Sequence, residues 1–198
     1  MELATVAWMA VEATLAIGAG VAARSLLLTA FGFDSVVELI SGGTLLWRLS
    51  AEARRAGIEK VEQVERRATW ISAGLLAILC FYVLFVGVAG LLIRLAPEGS
   101  PLGVGVSAAA VIVMPLLAWR KRRVNRSIES AALKADITET VTCAYMAAAT
   151  LVGVALNLFL GWWWSEYVAA LVLLVFLLRE AKEALEAARE GRTRGDED

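Results

Sequence analysis

Residues 25–42 read SLLLTAFGFDSVVELISG, an almost wholly apolar stretch that carries two acids, Asp34 and Glu38, four residues apart. A helix needs about 20 predominantly apolar residues to cross a bilayer, and this stretch with its flanks has that length. An acid at the centre of such a helix costs roughly 2.5 to 3.5 kcal/mol on insertion scales. Two acids in one span therefore call for compensation by protonation, by a basic partner or by a bound cation. At 3.6 residues per turn, the four-residue spacing sets the two carboxyls about 40° apart, on one side of the helix.

The rest of the chain fits this reading. It has 198 residues, of which 59% are hydrophobic, and its mean hydropathy is +0.68. That is too apolar for a soluble domain and leaves room for several spans. Apolar runs punctuated by charge predict helices at about 4–23, 26–47, 70–95, 102–119, 130–160 and 167–178, with a charged tail over 179–198. The expected fold is an all-α membrane protein of six transmembrane helices with no soluble domain. The first run lacks a basic leader and is interrupted by Glu2 and Glu12, so it reads as a mature span and not as a signal peptide.

Six crossings put both termini on one side. The connections at 49–69 and 120–129 hold ten basic residues, from Arg54 to Arg67 and from Arg120 to Arg126, while the opposite connections offer Arg24 and Arg94. The positive-inside rule then places both termini in the cytoplasm. Trp47, Trp70 and Trp119 mark the inner interface and Trp162, Trp163 and Trp164 the outer one, as amphipathic rings prefer headgroup depth. Residues 51–67 alternate acids and bases and predict a solvated amphipathic helix. Pro115 predicts a kink in the fourth helix, and Gly18, Gly20, Gly42, Gly43, Gly87, Gly90 and Gly153 predict close helix contacts.

Further acids lie inside these spans. Glu139 and Cys143 repeat the four-residue spacing on the fifth helix, which runs antiparallel to the second. At 1.5 Å per residue, Glu38 lies about 15 Å along its helix from Arg48 and Glu139 about 20 Å from Arg126, both near mid-membrane. Packed together, the two helices would set Asp34 opposite Cys143 and Glu38 opposite Glu139. Three oxygens and one sulfur then form a tetrahedral metal site suited to zinc, whose ligand bonds are about 2.0 to 2.3 Å, with thiolate favouring zinc or cadmium over magnesium or calcium. The chain has no histidine, so any site must do without the commonest transition-metal ligand. Cys80 has no such register and reads as a core residue. Asp136 is an entry ligand, a proton carrier or the partner of Lys134. Glu12 either relays protons or bonds within the bundle.

Residues 25–42 together with ESAALKADITETVTCAYMAA, residues 129–148, resemble the second and fifth helices of the cation diffusion facilitator family, membrane antiporters that exchange zinc and related divalent cations for protons. In that family the second helix presents two ligands four apart, falling here on Asp34 and Glu38. The fifth carries an alanine-aspartate pair, here Ala135 and Asp136, and then two ligands four apart, falling on Glu139 and Cys143. The family's usual fifth-helix pair is histidine or aspartate with aspartate, so Glu and Cys are a departure. The tail after Leu178 is too short for the cytosolic domain that many members carry, and the chain is similar to a compact bacterial branch consisting of the membrane domain alone. The resemblance implies export of a divalent transition-metal cation, Zn²⁺ first, from the cytoplasm by proton antiport with alternating access. It also implies a homodimer in the bacterial inner membrane. Cd²⁺, Co²⁺, Fe²⁺ and Mn²⁺ are alternative cargoes. Neither an enzymatic activity, a resident cofactor nor a nucleic-acid partner is expected. Two rival readings are a non-transporting membrane scaffold, its acids paired with bases such as Lys134, and an exporter of small organic cations lined by Tyr82 and Tyr145.

Overall fold

The computed structural model describes residues 2–53, 58–128 and 131–195, with side chains at 5–40, 42–44, 47, 67, 69–124, 126, 137–186 and 189. All regular structure among the described residues is helical: α1 Glu2–Ala23, α2 Leu26–Ala53, α3 Ile58–Ile93, α4 Pro101–Ile128, α5 Ala131–Leu160 and α6 Trp163–Gly195. Within hydrocarbon a lone segment can satisfy its own backbone donors and acceptors only as a helix, which overrides the weak helix preference of the many valines. Five helices contain a run long and apolar enough to cross a membrane, at Thr5–Ala23, Leu26–Thr44, Thr69–Ile93, Pro101–Val124 and Ile137–Leu160. The apolar run of α6 is shorter, bounded by Glu166 on one side and by Arg179 and Glu180 on the other.

The helices extend beyond their apolar runs, and this corrects the expectation of a separate amphipathic helix over 51–67. That segment is shared between the end of α2 and the start of α3, with residues 54–57 outside the described set. After Gly57 no glycine or proline interrupts the chain before Gly74, so α3 passes unbroken from charged to apolar sequence. The tail likewise continues α6 without a break. Lys121, counted above among the residues of a connection, is fully buried within α4 and donates to Thr140 Oγ1 at 3.2 Å.

Three short turns gather at one end of the bundle. Arg24, Arg94 and Gly161 close α1, α3 and α5 with φ of 52°, 54° and 68°, the left-handed geometry that terminates helices. The Glu98 amide donates to Ala23 O at 2.8 Å and the Asn157 side chain to Pro97 O at 3.2 Å, tying the turns together. Glu166 receives both the Ser25 hydroxyl and Asn157 Nδ2, the latter at 2.7 Å. An acid that would be expensive in lipid is thus satisfied on both oxygens, and α6 enters the bundle without exposing it.

The helices pack as the pairs α1 with α2, α3 with α6 and α4 with α5, and α2 also touches α3, α5 and α6. It is the most enclosed of the five spans. Leu27, Leu28, Phe31, Met146, Leu173 and Leu177 fill the core around it. Ile78, Phe81, Phe85 and Leu92, on one face of α3, stay exposed as a lipid-facing stripe requires.

The α1–α2 crossing is a backbone contact. A Cβ on Gly20 would lie 2.6 Å from the amide nitrogen of Thr29, and one on Gly32 would lie 2.7 Å from that of Ile17. Neither neighbour can move aside, because each is main chain. Gly32→Ala is expected to lower stability by about 1 to 3 kcal/mol, an overpacking cost. Gly18→Ala, which meets open space, gains about 1 kcal/mol of helix preference. Thermal melting of the two variants in detergent checks the contrast.

Candidate functional site

The α1–α2 contact sets the depth and rotation of α2, and two residues beyond Gly32 stands Asp34. It is 1% exposed, Glu38 is 2% exposed, and both face the bundle interior from adjacent turns of α2. Across from them α5 presents Cys143, 1% exposed and packed among Met9 and Met114. One ligand atom from each of Asp34, Glu38 and Cys143 lies within 4.8 Å of the others, the span over which one ion can touch all three. The Cys143 thiol donates to Glu38 Oε1. Asp34 Oδ1 and Glu38 Oε2 are buried with no hydrogen-bond partner. A buried acceptor left in that state costs about 1 to 3 kcal/mol, so the site is built with open valences.

Acids act on both carboxyls: Glu139 and Glu180 on Asp34 and Glu38, Glu12 on Asp34, and Asp34 on Glu38. Carboxyls gathered this way repel one another in a medium of low dielectric, and a cation between them reverses the sign of that interaction.

Three of the four residues predicted as metal ligands thus come together. Cys143 stays within 4.8 Å of Asp34, as expected, but its hydrogen bond goes to Glu38, for which Glu139 was expected. The reason is the tilt of helical side chains toward the N-terminus of their own helix. On antiparallel helices these tilts point in opposite directions, so Glu38 and Cys143 lean toward each other while Glu139 leans away. Glu139, half-buried, acts on Asp34, Glu38 and Glu180 through space and stands outside the three-residue group. Asp136 lies in α5, but its side chain and that of Lys134 fall outside the described residues. Glu12 accepts a hydrogen bond from Trp8 Nε1 within α1 at 2.5 Å and one from Ser35 Oγ at 3.0 Å, and the second fastens α1 to α2 beside Asp34. Cys80 is buried in the core on α3, as expected.

Glu180 was not legible as a site residue. The sequence assigns it to the charged tail, yet it acts electrostatically on Asp34 and Glu38, and its Oε1 is buried. The signal lay in the spacing along α6. Glu166, Ala170, Leu173 and Leu177 are all buried, a progression of four and three residues, and the next step falls on Glu180.

Comparison with known proteins places these features in context. Residues 3–191 match the family described as the cation efflux transmembrane domain. An uncharacterized transporter of Synechocystis sp., sll1263, is 29% identical over 174 residues, covering 80% of this chain and 56% of its own length. The cation-efflux pump FieF of Shewanella oneidensis is 28% identical over 101 residues, covering 51% of this chain and 34% of its own length. The chain therefore spans about half, or less, of the length of these relatives.

Proposed function

Because the chain belongs to the cation efflux family, an all-helical membrane transporter family, we propose that it exports a divalent transition-metal cation, Zn²⁺ first, in exchange for protons. The observation that carries this reading is the buried group of Asp34, Glu38 and Cys143, with its unpartnered oxygens. Oxygen and thiolate ligands together favour a borderline-soft ion such as Zn²⁺ or Cd²⁺ over Mg²⁺ or Ca²⁺. The same atoms bind a metal only when deprotonated, so a proton and a metal compete for one place. A bundle that exposes this place alternately to the two sides exchanges one for the other. The proposed setting is a bacterial inner membrane with both termini cytoplasmic, and the proposed assembly is a homodimer.

The organic-cation alternative gains nothing from the structure. Tyr145 is 62% exposed and stacks on Phe176, and Tyr82 is 40% exposed, so neither lines the site. The scaffold alternative needs basic partners for the acids, whereas the neighbours that act on Asp34 and Glu38 include Glu139 and Glu180, which repel them.

The test is a flux assay in proteoliposomes carrying a trapped zinc indicator or a trapped pH indicator. Zinc uptake accompanied by proton release from the lumen, and slowed as the external pH falls, is the expected result. The sign follows from competition, since external protons occupy the ligands that zinc needs. Zinc movement with no proton counter-flow removes the antiport, and no metal movement at all removes the transport reading.

A further inference from the structure

Hydrogen bonds close a ring around the end of the bundle where the three turns gather. The Glu98 amide donates to Ala23 O at 2.8 Å, Asn157 Nδ2 donates to Pro97 O at 3.2 Å and to Glu166 Oε1 at 2.7 Å, and the Ser25 hydroxyl donates to Glu166 Oε2. Ser25 stands two residues after Ala23 and Glu98 follows Pro97, so the chain itself completes the circuit. Building on the transport reading above, we propose that this ring is the gate through which the cation leaves, and that the way to it from the metal-binding group runs along α5 past Thr150. Ser25, Asn157 and Glu166 are all buried. Well-packed apolar side chains would hold the helices together as firmly. Hydrogen-bonding groups can instead hand their partners to water and take them back, as a seam that opens and shuts requires. The ring also fastens the right elements, joining α5 and the start of α2, which carry the three metal-binding side chains, to α6 and to the α3–α4 turn. Glu38 is thirteen residues from Ser25 and Cys143 fourteen from Asn157, about 20 Å along either helix. Thr150 lies seven residues from both Cys143 and Asn157, a spacing that sets all three on one face of α5. It is 0% exposed, and its hydroxyl has no hydrogen-bond partner among the described residues. An open oxygen halfway between the group and the ring offers a step to a passing cation or to its water.

With the ring intact, the group of Asp34, Glu38 and Cys143 is shut off from the end of the bundle opposite the termini, which is the outer end in the proposed topology. Opening parts Glu166 from Ser25 and Asn157, and its carboxylate is then the last acid that a departing cation passes. Glu166 thus serves as a latch, and not only as an acid made tolerable by its partners.

Thiol modification in bacterial membranes tests this. Cys80→Ser leaves Cys143 as the chain's remaining thiol, and a membrane-impermeant cationic thiol reagent attacks it from the outer face in spheroplasts and from the inner face in inverted vesicles. In that background Asn157→Ala and Glu166→Ala are expected to speed modification of Cys143 from the outer face at least about tenfold, with the rate from the inner face unchanged or lower. Tyr167→Phe removes a bond at the same end, from Tyr167 Oη to Leu95 O at 2.5 Å, that is no part of the ring, and it is expected to change the outer rate less than about twofold. Asn157→Ala is the milder change and decides the matter should Glu166→Ala fail to fold. Unchanged rates, or equal rises from both faces as a loosened fold would give, overturn the gate and leave the three-residue group standing. Zn²⁺ is expected to slow the reaction in every variant. A Cys143 that Zn²⁺ leaves unprotected overturns the metal site instead, while the difference between the faces still decides the gate.

Discussion

Replacing Asp34 with asparagine is expected to stop metal export, cutting flux by about a hundredfold or more, while the protein melts at the same or a higher temperature. The two halves of this result have one cause. Asp34 is fully buried among other acids, with one oxygen lacking any donor, so the metal-free fold carries it at a cost. Asparagine has the same shape, removes a repelled charge and adds a donor that can reach the neighbouring carboxyls. What it cannot do is bind a divalent cation as an anionic ligand. Loss of function together with gained stability is the signature of a site kept for its ligand. A residue kept for packing or for internal ion pairing would behave in the opposite way, because removing one partner of a structural pair destabilises by about 3 to 5 kcal/mol. Initial rates in proteoliposomes and melting curves on the same preparation measure both halves.

The second large effect is expected at Cys143. Cys143→Ser keeps the size of the side chain and the hydrogen-bonding group facing Glu38 but replaces a soft sulfur with a hard oxygen. Binding of Cd²⁺ and Zn²⁺ is expected to fall by about one hundredfold, as loss of a thiolate should cost at least what loss of a supporting residue does. Mn²⁺ and Mg²⁺, which prefer oxygen, are expected to change by less than about tenfold, so the order of preference compresses or inverts. Competition titrations against a fluorescent chelator give the four affinities. Equal losses for all four ions would mean that the variant has disturbed the fold and not the choice of ion. The methionines packed around Cys143, Met9 and Met114, leave the neighbourhood dry and soft, and serine adds there a hydroxyl whose remaining partner is again Glu38.

Much of this architecture was legible in the order of residues because the bilayer imposes a simple rule. Any apolar run of sufficient length must become a helix, so the runs around Asp34, Cys80, Pro115 and Cys143 announce four helices without further argument. The four-residue spacings of Asp34 with Glu38 and of Glu139 with Cys143 show which side chains share a face, since that depends on one helix alone. What the spacing does not contain is the offset between two helices. Glu38 meets Cys143, and Glu139 stands aside, because side chains on antiparallel helices tilt in opposite senses. A scheme that matches residues by depth of Cα alone misses that shift.

Glu180 and Lys121 were hidden for a related reason. Both follow an apolar run and belong to charged sequence, where the usual reading is a solvated surface. Lys121 is buried because α5 lies alongside it, and Glu180 is half-buried because α6 packs among α2, α3 and α5. Composition ends a span where the charges begin, but a bundle can enclose the first turn of charge when its neighbours are as long. In α6 the alternation of four and three from Glu166 to Leu177 is the trace that survives in the sequence, and it leads directly to Glu180.

The central claim is that Asp34, Glu38 and Cys143 hold one cation between α2 and α5. X-ray absorption at the zinc edge, on protein loaded with one equivalent of Zn²⁺, tests it most directly. The account predicts one sulfur at about 2.3 Å among oxygens at about 2.0 Å, with the sulfur shell lost in Cys143→Ser. A shell of oxygens alone in the wild type, or zinc that washes off without stoichiometric retention, would contradict it.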